Sequence, residues 1–295
     1  MGWIRRTKSS YLFFTFVLSF AGVLNASEAL NVFIRDDVLA DYQRFVGERD
    51  VTKITDFSGQ YLRRDVVDMV IAQQALQKGG FDKAFIFTPG FVSFRESNLL
   101  EKGEQLLHFD SYWKADLENK GRLLFISEPV IQKGQYFAGI YHGIDNQKVK
   151  QLKEEQGLTQ LTSVSNPKWQ TDWQTLESLP LKQLHAESDW MSQARMVSKG
   201  WVDFMLMPLM PKLDNRFVLE DVELIANEHL VVLLNDSRHF AVSRLHPEGE
   251  RAFAALQKGL AILREQGRIT SAYQQAGLIP DLDKYQVVNP VQEIR

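Results

Sequence analysis

The stretch that decides the fold is LVVLLNDSRHFAV, which covers residues 230–242. Its apolar run at residues 230–234 gives way to the polar tetrad Asp236-Ser237-Arg238-His239, and a second short apolar run follows at residues 240–242. Continuous apolar runs of this length are typical of buried strands. A charged tetrad between them costs free energy on burial unless its charges are paired or solvated. The sequence therefore predicts two buried strands separated by a polar segment that has a structural or functional role.

Two helices are predicted to follow these strands. After the turn at Pro247, apolar residues recur at positions 253, 256, 260 and 263, which is the spacing of one helix face. Gly267 ends this helix, because a helix end favours a residue that adopts positive φ. A second apolar face at positions 269, 272, 273 and 276 indicates a shorter helix that stops at Gly277.

The N-terminus has the features of a secretory signal peptide. Arg5, Arg6 and Lys8 precede an uncharged apolar run at residues 11–24, and small residues follow around Ala26. The run is shorter than the roughly 20 residues that a membrane-spanning helix needs. We therefore predict that residues 1–26 are a signal peptide and that the rest of the chain is exported.

Composition argues against several classes of function. The chain has no cysteine, which excludes disulfides, thiol nucleophiles and thiolate metal sites. A formal net charge of −3 and a pI near 6.1 give no basic surface for nucleic acid. The histidines lack metal-ligand spacing, and the common phosphate-loop, nucleophile-elbow and zinc-protease motifs are absent. We expect no nucleic-acid partner, no cofactor, no metal site and no catalytic residue.

Strands alternate with helices along the chain, which favours parallel sheets with crossover helices. A first strand is predicted at residues 30–34, a helix from about Arg64, and a second strand that breaks at Thr88-Pro89-Gly90. A charged helix is expected at residues 147–156. Another helix is expected to open at Asn166, with Pro167 at its first helical position.

The order strand, polar break, strand, turn, helix, glycine, helix resembles the closing module of bacterial extracellular solute-binding proteins of family 3. The segments at residues 200–203 (GWVD) and 125–130 (FISEPV) are similar to two further motifs of that family. The resemblance implies an α/β fold of two Rossmann-like lobes joined by two hinge crossings, the type II periplasmic binding protein fold. It places the first lobe at residues 30–134 and 237–289, and the second lobe at residues 135–236.

The resemblance also implies a function. It implies a periplasmic monomer that captures a small anionic or zwitterionic solute between its lobes, for a membrane permease or a sensor kinase. Amino-acid binders of the family carry a Thr-x-x-Arg segment whose arginine clamps the ligand carboxylate. Here the corresponding residues 116–122 offer only Arg122, without the threonine. The identity of the solute therefore does not follow from the resemblance.

Position in the fold nominates the ligand-binding residues. Ligands of open α/β sheets bind beyond the carboxyl ends of strands, and helix N-termini attract anions. The strand ends, the start of the helix at Asn166 and the polar tetrad supply the candidates, which are Arg35, Asp36, Thr88, Ser111, Tyr112, Trp113, Ser127, Asn166, Lys168, Trp169, Arg238 and His239.

Two alternatives stay open at this point. Arg238 either clamps an anionic group of the ligand or forms a structural pair with Asp236 at the surface. The chain is either a binding module, an enzyme of the dehydratase kind on the same fold, or a module that has lost its ligand and contacts proteins. The enzyme would need a general acid or base, for which Glu128, Asp110 and His239 are the candidates.

Overall fold

The computed structural model describes residues 1–2, 29–90 and 93–289, without the side chains of residues 93–97 and 119. Apart from Met1 and Gly2, the predicted signal peptide lies outside the described residues. The N-terminal part contains β1 (Leu30–Arg35), α1 (Asp36–Val46), α2 (Arg64–Gly79), β2 (Phe85–Gly90), α3 (Ser93–Lys102), β3 (Tyr112–Trp113), α4 (Lys114–Leu117) and β4 (Leu124–Ile126).

The middle and the end of the chain follow the same alternation. The middle part contains β5 (Phe137–Gly143), α5 (Gln147–Lys150), β6 (Thr162–Ser165), α6 (Gln170–Ser178), β7 (Gln183–Ala186), α7 (Trp190–Ser198), β8 (Met205–Pro208), β9 (Arg216–Leu219) and β10 (Val222–Leu233). The C-terminal part contains β11 (Arg238–His239), β12 (Ala241–Ser243), α8 (Gly249–Glu265), α9 (Arg268–Gln275) and β13 (Gln286–Val287).

The first lobe is built on short strands from both ends of the chain. β1 pairs with β2 in parallel, and β12 pairs with β4 antiparallel. Residues 106–109 form only a bridge, between Leu107 and Val242. The Gln105 side chain links β1 to the segment that follows α3, because its Oε1 accepts a hydrogen bond of 3.1 Å from the Phe33 backbone.

The second lobe has a longer sheet in the order β13-β10-β5-β8, with β9 also pairing with β10. A parallel bridge between Ser163 and Phe204 extends it to the parallel pair β6-β7. β5 is buried along its whole length, which agrees with the continuous apolar sequence of residues 136–141.

Two chain segments cross between the lobes and pair with each other. Val130 donates to the Arg238 carbonyl at 2.8 Å, and Arg238 donates back to the Ile131 carbonyl at 2.9 Å. Leu234 donates to the Tyr136 carbonyl at 3.0 Å. The predicted α/β architecture with two hinge crossings is therefore confirmed, and the lobe boundaries at residues 134 and 236 stay predictions.

The C-terminal helices close the first lobe as the sequence predicts. α8 buries Leu256, Leu260 and Leu263, and Gly267 adopts φ +64° at its end. α8 crosses α2 at very short range: a Cβ on Gly259 would stand 1.7 Å from the Ala75 carbonyl oxygen. Backbone contact this close requires glycine at the crossing.

Four sequence-based expectations are wrong in detail. The β2 strand continues through Thr88 to Gly90, and Pro89 is tolerated because β2 pairs only with β1 among the described residues. α5 is only four residues long, so the charged helix expected at residues 147–156 stops at Lys150. α1 forms where no helix was predicted. The helix expected at Asn166 begins instead at Gln170, because residues 166–169 form a turn.

Candidate functional site

Arg238 lies at the hinge, where β11 pairs with β3 opposite Trp113. Its guanidinium carbon stands 4.4 Å from the centroid of the Trp113 ring and 5.5 Å from that of Tyr136. Its Nε donates to Ser111 Oγ at 3.0 Å, and its Nη2 donates to the Ser111 carbonyl. Among the described residues its Nη1 group has no hydrogen-bond partner. One edge of the guanidinium is thus left for a ligand.

A cluster of charged side chains stands beside Arg238. Arg64, the first residue of α2, pairs with Asp110 at 2.6 Å and also contacts Asp65. Asp110 Oδ1 lies 3.9 Å from Arg238 Nη2. Opposite charges from α2, the hinge and the chain before β3 therefore meet in one place.

The carboxylates of this cluster differ in their affinity for protons. Burial raises the pKa of Asp110 to about 6, although Arg64 lowers it. Burial also acts to raise the pKa of Asp65, but Arg64 and Arg35 outweigh it and hold that pKa well below its usual range. Of these two carboxylates, Asp110 therefore holds a proton more readily than Asp65.

Asp68 supports the position of Arg238 through Ser111. Its fully buried carboxylate accepts hydrogen bonds from the Ser111 backbone at 2.9 Å, from Ser111 Oγ at 2.7 Å and from the Tyr273 hydroxyl. Ser111 in turn holds the guanidinium of Arg238. This series of hydrogen bonds, from Asp68 of α2 through Ser111 to the hinge, thus fixes Arg238 in place.

The same carboxylates offer the spacing of a metal site. Oxygen atoms of Asp65, Asp68 and Asp110 all lie within 4.8 Å of one another. The Arg64 guanidinium already contacts all three residues, at 3.7 Å in the case of Asp68. Because a cationic group occupies this position, we assign no metal to the cluster.

A small pocket opens at the carboxyl end of β1. Its interior leaves about 40 Å³ for the centres of water-sized molecules, which is room for roughly three waters. Arg35 at its edge lies 5.5 Å from the centroid of Trp190, the first residue of α7 in the second lobe. The lining residues are Ile34, Arg35, Val38, Asp65, Met69, His108, Phe109 and Asp110.

Three hydrogen bonds connect the first lobe and the hinge to the first turn of α6. Trp113 Nε1 donates to Asp172 at 2.8 Å. The Gln170 backbone donates to Asp116 at 3.1 Å, and Thr171 Oγ1 donates to Asp236 at 3.0 Å. The lobes are therefore in contact, and the N-terminus of α6 faces carboxylates of this same chain.

The structure brings some of the predicted site residues together. Arg35, Ser111, Trp113 and Arg238 all lie at or beside the charged cluster. Tyr112 lies next to them in β3, where its ring is 5.2 Å from that of His108.

Other candidates have structural hydrogen bonds. Ser127 Oγ accepts from the Phe240 backbone, and its carbonyl accepts from His239 Nδ1 at 2.7 Å. His239 also contacts Ser237 through Nε2, and burial lowers its pKa. Asn166 bridges the Ser188 carbonyl and the Lys168 backbone.

The remaining candidates lie outside the cluster. Asp36 is exposed in the first turn of α1, and Thr88 lies within β2. Lys168 is exposed, and Trp169 is the residue that precedes α6. The pairing of Asp236 with Arg238 that was weighed from the sequence is not found among the described residues, because each of them bonds to other groups.

The fold was compared with known proteins. No family model and no curated protein matches the chain by sequence. A probable amino-acid ABC transporter extracellular-binding protein, ytmK of Bacillus subtilis, covers 86% of this chain and 100% of its own, with 9% identity and a TM-score of 0.52. The chain has the fold of the type II periplasmic binding proteins.

Two further solved structures have the same fold. The B. pertussis BvgS periplasmic domain covers 86% of this chain and 44% of its own, with 14% identity and a TM-score of 0.51. An amino acid ABC transporter substrate-binding protein of Streptococcus pneumoniae, bound to L-arginine, covers 71% of this chain and 82% of its own, with 16% identity and a TM-score of 0.50. Within residues 29–90 and 93–289, no helix of this type II fold is long and apolar enough to cross a membrane.

Sequence reasoning missed several residues that build the cluster. From the sequence, Arg64 is predicted only as a helix start, and Asp65 and Asp68 are not singled out. A signal was available, because three of the first five residues of this helix are charged and one of them, Asp68, falls on its apolar face. A carboxylate on the buried face of a helix needs partners, which in a folded chain makes it a candidate for a polar network.

Proposed function

We propose that this protein is a periplasmic solute-binding protein that captures a small zwitterionic solute between its two lobes. One observation carries the proposal: Arg238, whose Nη1 group has no partner among the described residues, stands 3.9 Å from Asp110, a carboxylate whose pKa burial raises although it pairs with Arg64. A solute with a carboxylate and an ammonium group would satisfy both. An anionic solute alone would leave the Asp110 charge facing it.

Each contact has a physical reason. An arginine that is already held at Nε and Nη2 loses little conformational freedom when Nη1 binds an anion. An ammonium near Asp110 would stabilise its ionised form and reverse the rise in pKa that burial causes. The pocket is lined by first-lobe residues, and one of them, Arg35, contacts Trp190 of the second lobe, so a solute there would lie beside a contact between the lobes.

The volume of the pocket in this closed form limits how a solute can enter. About 40 Å³ for water centres is far below the pockets of about 300–1,000 Å³ that hold small-molecule ligands. The solute therefore enters an open form, and closure follows as the ligand selects the closed state. The S. pneumoniae neighbour is bound to L-arginine, a solute that carries both charge types.

The proposed partner is either a membrane permease or a sensor. One neighbour is described as an ABC transporter substrate-binding protein and another as the BvgS periplasmic domain, so the fold serves in both settings. We propose a monomer that is exported after removal of residues 1–26.

An enzyme on the same fold is favoured by one observation. The raised pKa of Asp110, about 6, suits a carboxyl group that donates a proton near neutral pH. The other two candidates fit this role less well, since His239 is bonded at both ring nitrogens and Glu128 is exposed.

Thermal melting with a panel of amino acids, amines and carboxylic acids tests the proposal. A ligand that binds the folded chain raises the melting temperature according to its concentration relative to Kd. Mass analysis of the stabilising compound after incubation then separates the two functions. An unchanged compound supports binding, and a new product supports the enzyme. Absence of any stabilising zwitterion would count against the proposed function.

A further inference from the structure

The N-terminus of α6 already has an anion, and that anion belongs to this chain. The first N–H groups of a helix have no partners within it, and the helix dipole makes this end positive. In α6 the first of these groups, on Gln170, donates to the Asp116 carboxylate at 3.1 Å. Asp116 lies on α4 in the first lobe, so the bond crosses from one lobe to the other.

Two further hydrogen bonds hold the same turn. Thr171 Oγ1 donates to Asp236 at 3.0 Å, and Asp236 Oδ2 also accepts from the Ala115 backbone at 3.1 Å. Trp113 Nε1 donates to Asp172 at 2.8 Å. Three consecutive residues of α6 are thus bonded to the first lobe or the hinge by groups of the protein itself.

We propose that these bonds form an internal latch that closes the lobes without a solute. The α6 latch consists of the contacts Asp116–Gln170, Asp236–Thr171 and Trp113–Asp172. An oxygen of the Asp116 carboxyl group accepts from the free N–H at the helix end. The inference rests on the proposed function in one respect: a solute enters only after the latch has opened, so the latch sets the concentration at which the site fills.

The latch gathers three carboxylates, which makes closure sensitive to pH. Asp116 faces Asp172 and Asp236, and the compensating cation is Arg238. Arg64 adds a more distant positive charge at Asp172, and the backbone of Lys114 next to Asp116 bonds to the hinge at Ser237.

The sign of the pH effect follows from the proton that closure takes up. Burial raises the pKa of Asp116 to about 6, although the hydrogen bond from the Gln170 backbone lowers it. The charges of Asp172 and Asp236 add to the rise, and Arg238 opposes it. A solvated Asp116 in the open form keeps its ordinary pKa, so closing binds a proton. The closed form is therefore favoured most when the pH is below the ordinary pKa of an aspartic acid side chain. It loses this advantage as the pH rises through about 6.

The latch is tested on the full chain without any solute. Because the chain has no cysteine, Asp36→Cys in the first lobe and Ser188→Cys in the second place two spin labels at exposed positions. The distance between the labels reports the ratio of open to closed molecules. We expect a single short distance in the ligand-free parent at mildly acidic pH.

Matched variants separate the latch from general damage. Trp113→Phe keeps an aromatic ring and removes the indole N–H, and Thr171→Val keeps the shape and removes the hydroxyl. Each should raise the open-to-closed ratio by about 2- to 10-fold, as expected for one hydrogen bond. Thr175→Val is the control, because its hydroxyl bonds within α6 to the Thr171 carbonyl.

Asp116→Asn tests the charge. Its amide oxygen still accepts from Gln170, so the closed form should persist while its dependence on pH weakens relative to the parent. A parent that is open without solute, or latch variants that match Thr175→Val, would overturn the latch. Neither result bears on solute capture, which the melting panel tests independently.

Discussion

Arg238 combines a structural and a binding role in one side chain. Its stacking on Trp113 and its bonds to Ser111 hold the guanidinium, and the free Nη1 edge is the part proposed to bind the solute. Its position was predictable, because a charged tetrad between two buried strands marks the return crossing. The residues that support Ser111, which holds the guanidinium, were not predictable. Asp68 and Tyr273 lie 205 residues apart and meet only through the fold.

Replacing Arg238 should weaken solute binding more than it disturbs the fold. A charge-assisted contact contributes about 1.5–3 kcal/mol, so Arg238→Ala is expected to raise Kd by roughly 10- to 150-fold. Arg238→Lys should recover only part of this loss, because the planar fork is gone. Calorimetric titration of the folded variants with the solute found in the melting panel measures the effect.

The control for this change is Arg251→Ala. Arg251, in α8, forms surface ion pairs with Asp82 and Glu248. Its loss should leave Kd unchanged. If Arg238→Ala and Arg251→Ala bind the solute equally well, Arg238 is not a ligand contact.

Asp110 should give solute binding a dependence on pH. The group binds an ammonium only when ionised, so affinity should rise as pH increases through about 6, the pKa that burial gives it. His108 and Asp65, two further ionisable side chains, line the same pocket. The decisive quantity is therefore the difference between the pH profiles of the parent and of Asp110→Asn. Superimposable profiles would remove Asp110 from the binding step.

At the scale of elements, helices with a regular spacing of apolar residues were predictable from the sequence. Segments with mixed signals were not. α8 and α9 follow from regular apolar spacing with glycines at their ends. α1 has the same regular spacing, with Val38, Leu39, Tyr42, Phe45 and Val46 on one buried face, so it was predictable and was overlooked. The helix at Asn166 was placed too early. The asparagine caps a turn there, and the same residue types favour both structures.

The crossing of α2 and α8 yields a stability prediction. A methyl group at position 259 would overlap the Ala75 carbonyl, so Gly259→Ala should lower the free energy of unfolding by about 1–3 kcal/mol. The loss appears as a lower midpoint in urea unfolding.

Gly121→Ala provides the comparison for this substitution. Gly121 has φ −61°, and its nearest neighbour would be 4.0 Å from an added Cβ. It should therefore be neutral or stabilising by up to about 1 kcal/mol. Equal midpoints for the two variants would mean that the helices adjust to the methyl group without cost.

At the scale of the whole molecule, the type II fold was predictable from the order of its closing module. The contact between the lobes was not predictable, because Trp113, Asp116 and Asp236 meet α6 only after both lobes have formed. A sequence pattern carries information about neighbours within an element. It carries little about which side chains face each other across a cleft.

Export is a separate prediction for the whole chain. Processing near Ala26 should give a mature N-terminus shortly after that residue. N-terminal sequencing of protein from the periplasmic fraction tests this expectation. An intact Met1 on membrane-bound protein would contradict it.

The central claim is that one solute bears both charges and that both are bound between the lobes. Calorimetric titration with three matched compounds tests it most directly: the stabilising amino acid, the amine that lacks its carboxylate, and the acid that lacks its ammonium. We expect only the zwitterion to bind well, with each lost charge raising Kd by roughly 10-fold or more. Binding of the amine or the acid as tight as that of the amino acid would contradict the account.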